Sequence, residues 1–538
     1  MSATVPAAPK PPRNQVDVSP VFRGRRHDRG MTDTEQEMAD VAVVGAGPVG
    51  LSMAALLARH GLTVVLLDRG RHGVVKPRAT HLDDEAVRIM QAMGLTGELE
   101  PTFYTPSSFT LYDSTRTPVA NSTLGREIGD QAWRRDYMFH QPTFESRMRE
   151  ILGAAPLVRA RYGVEVTGVT QDADHAEVTA YDIDSGSTFT VPARYVVGCD
   201  GAHSAVARSM GVETEDLHAT QRWLVVDLLI NEDVGDVDDE LHTVAVAPPE
   251  RTYTFVPTGE HRRRIEFKAF DHESDESLET PETVWRLVER WVTPETAVVE
   301  RADAYIFAAT LATRWRDRRL FLAGDAAHQM PPKAGQGLCS GLRDVANLSW
   351  KLAFCLQGRA ADTVLDTYYA ERAPHTRTWT LISSGIARAI EDLAAGRRPD
   401  IEGEQRPDSR PPLGSGLHGT TPPPAGTLSL QPFLTDGTRL DDHLGLSFSV
   451  IARADVLAAC DERTRATWRE LGAVVLDATA ARYEEWLTEH DAGAVIIRPD
   501  KYVHGTARTA TGLAALTAQL DVALGANTTS TTRKEVTA

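Results

Sequence analysis

Six residues, Gly45-Ala46-Gly47-Pro48-Val49-Gly50, constrain this chain most, because of what flanks them. Val41 to Val44 is an apolar run of the length of a buried parallel strand. Val49 to Arg59 is rich in Ala and Leu, as a helix packed on a sheet is, and Gly61 is placed to cap it. Leu62 to Leu67 is a second apolar strand, closed by Asp68. Strand, glycine turn, helix, strand and terminal acid together predict a βαβ unit that binds a dinucleotide. Gly45 serves the tight turn, Gly47 the approach of a pyrophosphate to the helix N-terminus, Gly50 close packing, and Asp68 a ribose hydroxyl. An ordinary βαβ glycine turn is the alternative that this context argues against.

The 538 residues predict two or three domains. A net charge of −18 speaks against nucleic acid and an anionic membrane surface as partners, and solubility explains it. Cys199, Cys339, Cys355 and Cys460 form no CxxC and no zinc-spaced cluster, so no metal is expected and reduced thiols in a cytoplasmic protein are. No stretch has the length and apolarity of a membrane span.

Residues 1–37, rich in Pro and Arg, read as a disordered leader. After Arg69 comes Lys76-Pro77-Arg78-Ala79-Thr80-His81, then an amphipathic helix from Leu82 ending at Gly94, with Asp83, Asp84 and Glu85 in its first turn, where helix starting alone accounts for them. Residues 101–135 read as loops and short strands. Phe139-His140-Gln141-Pro142 opens a helix, and Val164–Val169 with Ala176–Tyr181 reads as a hairpin. Arg194 to Cys199 is another parallel-type strand, running into Asp200-Gly201. From Gln221 to Phe270 the pattern alternates, predicting an antiparallel sheet with Tyr253 and Phe255 on one face, either in a pocket or in a half-buried core. Leu320 to Ala323 is a buried strand ending in Gly324-Asp325. Pro331-Pro332-Lys333-Ala334-Gly335-Gln336-Gly337 then precedes a long helix from about Leu338 to Leu356, with Asp344 and Asn347 on one face. Residues 396–426, dense in Pro, Arg and Gly, read as a linker, and a small β-α-β-α-β domain follows from Ser447 to Arg498.

The GxGxxG unit, Asp200-Gly201 and the run GDAAHQMPPKAGQGLCSGLRDVANLSWKL occur in the order seen in class A flavoprotein monooxygenases, which the chain resembles over residues 38–385. KPRATHLDDEAVRIMQAMGL, FHQPTFE, RWLVVDL and Arg498-Pro499-Asp500-Lys501-Tyr502-Val503 resemble the 3-(3-hydroxyphenyl)propionate hydroxylase branch. The resemblance implies an α/β fold. Its Rossmann-type FAD-binding domain is para-hydroxybenzoate hydroxylase-like and spans 38–213 and 305–395. A substrate-binding antiparallel sheet is inserted at 214–304, a thioredoxin-like domain covers 427–526, and a tail covers 527–538. With Cys460 alone, that last domain cannot run dithiol chemistry, so a structural or oligomerising role is expected.

By the same resemblance FAD is bound and NAD(P)H is a transient co-substrate, with NADPH favoured. Gly45, Gly47, Pro48, Val49 and Gly50 would hold the pyrophosphate, and Asp68 with Arg69 the adenosine end. Arg78 and Gln141 would meet the ribityl and phosphate region, and Asp200 and Gly201 would serve both FAD and NAD(P)H. Gly324 and Asp325 would bind ribityl hydroxyls, Pro331 would line the ring, and Gly335, Gln336, Gly337 and Leu338 would face the flavin edge. Arg222, Phe255, Pro332 and Lys333 are expected at the substrate. Two positions depart from the family pattern. Ala207 stands where it has an Arg, with Arg208 one place later, and Lys333 where it often has an aromatic. A cation there favours an anionic substrate, and a solvated side chain is the alternative.

The implied reaction is NAD(P)H- and O2-dependent hydroxylation of an electron-rich, phenolic ring through a flavin C4a-hydroperoxide. The substrate is a catabolic phenolic acid or a larger biosynthetic phenol. His81 is a candidate for taking the phenol proton and Tyr253 a second, a structural histidine being the alternative. The competing expectations are an FAD-dependent reductase or dehydrogenase on the same fold, and a non-catalytic scaffold. A homo-oligomer is expected from the resemblance.

Overall fold

The computed structural model describes residues 37–105, 108–122, 125, 127–231, 243–247, 250–397, 399 and 410–525. The expected leader up to residue 36, residues 398 and 400–409 of the expected linker and the expected tail 527–538 lie outside them.

The strand Ala39–Val44 is the centre of the first sheet. It pairs in parallel with Val64–Asp68 on one side and with the end of Thr188–Gly198 on the other. Leu320–Leu322 adds in parallel beyond, and Val158–Tyr162 closes the far side. The central strands Ala39–Val44, Val64–Asp68 and Leu320–Leu322 are almost wholly apolar and buried, as parallel strands inside a domain are. Pro48–Arg59 lies on the sheet with Leu51 to Ala58 buried, and Gln336–Leu356 packs against that helix. The hairpin Val164–Gln171 with Ala176–Asp182 pairs onto the antiparallel first half of Thr188–Gly198.

The second sheet has seven strands, in the order Ala297–Phe307, Gln221–Ile230, Arg262–Lys268, Tyr253–Pro257, Thr243–Val246, Phe109–Tyr112, Pro118–Ser122. The last two come from the 101–135 stretch, so this sheet draws on two distant segments. Phe109–Tyr112 joins in parallel to Thr243–Val246, the exception in an otherwise antiparallel ladder. One face carries a core of Tyr253, Phe255, Phe267, Val284, Val288 and Trp291. The other faces the first domain and the 28-residue helix Thr367–Ala394.

The C-terminal domain has a four-stranded sheet ordered Val474–Asp477, Ser449–Ala452, Ala494–Ile497, Val503–Ala507. The first pair is parallel and the other two antiparallel, and Ala510–Leu524 closes the domain. The last strand and helix extend the expected β-α-β-α-β to the thioredoxin-like β-α-β-α-β-β-α. Cys460 is buried, with its Sγ 3.2 Å from the Val456 carbonyl. No helix among the described residues is long and apolar enough to cross a membrane.

Candidate active site

One cavity of about 1260 Å³ runs from the glycine motif, past the Pro331–Leu338 loop, to the second sheet. Gly45, Gly47, Pro48 and Val49 line one end, where the first strand turns into its helix. The helix N-terminus there has no side-chain cap, and nothing lies within 4 Å of where a Gly47 Cβ would be. Its free N–H groups and positive dipole end therefore open onto the cavity. Gly50 does not line it. That residue is where the helix crosses the turn, and a Cβ would stand 1.8 Å from the Gly45 carbonyl oxygen. Asp68 accepts from Ala46 N–H at 2.5 Å and Gly70 N–H at 2.7 Å, which ties the second strand to the glycine turn. Arg149 stands 3.4 Å from the same carboxylate and stacks on Tyr162. It lines the cavity beside Arg69, although nothing in its sequence surroundings singled it out. Gln141 accepts at 2.8 Å from the N–H groups of both Arg78 and Ala79, so it shapes the backbone that carries Arg78.

Midway along, Asp200 accepts from Ala205 N–H at 2.7 Å through one oxygen. The other is buried and has no partner among the described residues. Burial pushes this carboxyl up. Gly201 lines the cavity beside it. Arg208, one place late in the motif, also reaches the cavity, donating to the His203 carbonyl at 2.6 Å. Asp325 opens into the cleft rather than onto the outer surface, and burial pushes its carboxyl up as well. Gly324, the residue before it, is not part of the lining and packs against Val49.

The Pro331–Leu338 loop is held from three sides. Ser383 donates to the Pro331 carbonyl. His81 contacts the Gly335 carbonyl through Nδ1 at 3.1 Å. Gln336 donates to Asp83 at 3.1 Å and accepts from Arg343 at 2.8 Å. Gly335 has φ +65°, and a Cβ there would stand 2.6 Å from His81 Nδ1, so only glycine fits. The Gln336–Leu356 helix starts without a side-chain cap, and Gly337 and Leu338 face the cavity. Pro332 lines it; Pro331 does not.

His81 also contacts Asp136 at 2.9 Å through Nε2. Burial alone would lower its pKa, but the bond to Asp136 carries it well above an ordinary histidine. Both ring nitrogens of His81 are thus engaged, and through them it holds the loop to the strand pair at Asp136 while lining the cavity. Asp83, Asp84 and Glu85 also do more than start a helix. Asp83 caps it by accepting from Ala86 N–H, Arg343 pairs with Asp83 and with Glu85, and Arg410 pairs with Asp84.

At the far end the second sheet presents Thr254, Val256, Arg264 and Glu266 to the cavity. Tyr253 and Phe255 share a face, as their spacing predicts, but it is the opposite one. Their rings lie 5.2 and 5.8 Å from that of Trp291, so neither reaches the cleft. Arg222 is also away from it, paired with Asp275 at 2.8 Å. Lys333 is in the cleft, but it is neither solvated nor a free cation: it donates to Glu266 at 2.8 Å. Trp379, Ile382, Ile386 and Ile390 form the facing wall.

The open helix N-terminus at Gly47, the unpartnered Asp200 oxygen, Asp325 and the uncapped helix start at Gly337–Leu338 suit a pyrophosphate, polyol hydroxyls and an electron-rich ring edge in turn. They fit FAD, and fold and cleft together define a flavoprotein. The chain belongs to the FAD binding domain family, which it matches over residues 38–381, and residues 426–523 match the HcaD C-terminal domain. It is 35% identical to a Rhodococcus jostii protein named probable NADH-specific resorcinol 4-hydroxylase, over 91% of this chain and 96% of that one. It is 33% identical to a 3-(3-hydroxy-phenyl)propionate/3-hydroxycinnamic acid hydroxylase of Mycolicibacterium gilvum, over 87% and 89%. Among solved structures, the flavin-dependent monooxygenase PieE with FAD and substrate superposes at TM-score 0.79 and 21% identity, over 91% of this chain and all of that one. Aklavinone-11 hydroxylase with FAD and aklavinone superposes at 0.76 and 24%, with the same coverage. The protein is an FAD-dependent monooxygenase of the aromatic hydroxylase type.

Proposed function

We propose that this enzyme hydroxylates a small phenolic ring, consuming NAD(P)H and O2. The observation that carries the reading is the continuity of the cleft. The Pro331–Leu338 loop stands between the nucleotide end and a pocket with one polar wall and one apolar wall. Such a pocket buries a ring and orients its polar substituent.

Bound FAD supplies the electron transfer and the activation of oxygen. The chain's own residues do the rest. The Gly47 helix N-terminus, Asp68 and Arg149 hold the nucleotide end, and Asp200 and Asp325 offer acceptors midway. The N–H groups at the start of Gln336–Leu356 stabilise negative charge at the adjoining ring edge. His81, Ser383 and Gln336 fix that loop, and Ile382, Ile386, Ile390 and Trp379 exclude water from the ring.

The test is turnover of the purified holoenzyme with a panel of phenols, with NADH and NADPH compared. A product heavier by one oxygen, with flavin reduction accelerated by the same phenol, supports the reading. A change of two hydrogens instead identifies a dehydrogenase on this fold. NADPH is the sequence-based expectation, and the name of the Rhodococcus relative puts NADH beside it in the assay. A cytoplasmic, oligomeric enzyme is part of the same proposal, and the subunit number follows from sedimentation.

A further inference from the structure

Lys333 and Glu266 are the polar feature of the ring pocket that the reading above leaves without a task. Their side chains are 3% and 9% exposed. The Lys333 ammonium lies 3.4 Å from the centroid of the Trp223 ring, which covers another of its sides. Burial lowers the Lys333 pKa and Glu266 opposes this; burial raises that of Glu266, and Lys333 and Arg264 bring it below the usual range. The charges cancel in place. Directly across the ladder from Glu266 stands Thr254, whose hydroxyl is buried and without a partner among the described residues. Arg264, on the same face, is neutralised as well. It pairs with Asp227 at 2.7 and 2.9 Å and spends further donors on the carbonyls of Pro77 and Arg78.

A wall built this way suits neither a carboxylate nor a hydrocarbon. A carboxylate would sit beside Glu266, like charge against like. A hydrocarbon would leave the Thr254 hydroxyl unsatisfied. A neutral hydroxyl suits all three groups, its O–H donating to Glu266 and its oxygen accepting from Thr254 and, through its second lone pair, from Lys333. We infer that Lys333, Glu266 and Thr254 form a clamp for the hydroxyl of an uncharged hydroxyarene and reject a carboxylate at that position. This deepens the phenolic reading above and rests on it. A phenol that donates to a carboxylate gains electron density on its oxygen and on the ortho and para carbons, so the clamp both orients the ring and readies it for an electrophile.

The experiment is calorimetric titration of the FAD-loaded enzyme, without reductant, with resorcinol, 1,3-dimethoxybenzene and isophthalate, which differ in the group that reaches the clamp. The wild type is expected to bind resorcinol at least tenfold more tightly than either of the others. Lys333→Met with Glu266→Gln removes both charges and orphans neither. It is expected to weaken resorcinol about tenfold to a hundredfold while leaving dimethoxybenzene unchanged. Glu266→Gln alone frees the ammonium and is expected to strengthen isophthalate about tenfold. Thr254→Val, a nearly isosteric change, is expected to weaken resorcinol alone. Dimethoxybenzene bound as tightly as resorcinol by the wild type overturns the clamp. So does undiminished resorcinol affinity in the FAD-loaded double variant or in Thr254→Val. If resorcinol binds and is hydroxylated yet the variants behave as wild type, only the clamp fails; if the wild type neither binds nor oxygenates any phenol, the phenolic reading fails with it.

Discussion

Arg498→Met tests how the C-terminal domain is fastened. Arg498 is fully buried just after the strand Ala494–Ile497. Its guanidinium donates to both Glu371 oxygens at 2.9 and 2.8 Å and to both Asp500 oxygens at 3.0 and 2.6 Å. Glu371, on the Thr367–Ala394 helix, also accepts from Lys351 at 2.7 Å, Asn347 at 2.8 Å and Leu417 N–H at 2.8 Å. Burial opposes ionisation of Glu371, yet Arg498 and Lys351 hold its carboxyl far below the usual range. Two cations and two anions therefore cancel across the joint between domains. The substitution keeps roughly the side-chain length and leaves two buried carboxylates facing one ammonium. Removing one partner of such a set costs about 3–5 kcal/mol, which corresponds to a loss of roughly 10 °C in melting temperature. Thermal unfolding followed by circular dichroism and by flavin fluorescence is the assay. We expect the two signals to separate, the C-terminal domain melting first. Adding Asp500→Asn leaves a neutral Glu371–Lys351 pair and should recover much of the loss. A single variant within about 0.5 kcal/mol of wild type, or a double variant no better than the single, refutes the account.

Gly335→Ala forces a side chain into a left-handed turn against His81, a strain of about 1–3 kcal/mol; FAD titration of the apoprotein should show about tenfold weaker binding, and unchanged affinity would contradict the role given to that loop. Tyr502→Phe removes the donor to Glu85 at 2.7 Å. It should cost about 1.5–3 kcal/mol in denaturant unfolding, with no loss of C-terminal secondary structure. His504 is buried, and burial with Arg498 nearby pushes it down to about 3 from an ordinary 6.5. The unfolded chain then binds a proton that the native state refuses, so stability is complete above pH 6.5 and falls as pH drops toward 3. The slope corresponds to about 2 kcal/mol lost between pH 6.5 and about 5. His504→Asn should flatten that part of the profile, and an unchanged slope would assign it to other groups.

The legible parts of this fold are those whose requirements are local. A turn that must pass the Gly45 carbonyl, or a loop that must be left-handed at Gly335, leaves its mark at a single position, and the flanking apolar runs supply the rest. The second sheet shows where such reading stops. Period two puts Tyr253 with Phe255 and Thr254 with Val256, but it does not say which face meets the cleft. Both faces here are covered, one by the Trp291 core and one by the cavity, so apolarity does not separate them. The strand Arg262–Lys268 misleads further. Its charges resemble a solvated edge, yet Arg263, Arg264 and Glu266 are all buried, two of them satisfied by Asp227 and Lys333 from distant segments.

The C-terminal domain carries that argument to its end. Its sequence offers a lone Cys460, which excludes dithiol chemistry and leaves a structural or oligomerising role without saying what the domain touches. Its contacts with the first domain include those of Arg498-Pro499-Asp500-Lys501-Tyr502. Arg498 and Asp500 reach Glu371, Asn347 and Trp350, and Tyr502 reaches Glu85. Glu85 pairs with Arg343, which holds Gln336 at the start of the cleft loop. Each link is an ion pair or a charged hydrogen bond buried away from water, where an unmatched partner is costly. A continuous buried path therefore joins the domain to the loop, and a helix-starting acid such as Glu85 acquires its partners only when residues more than four hundred positions away fold against it.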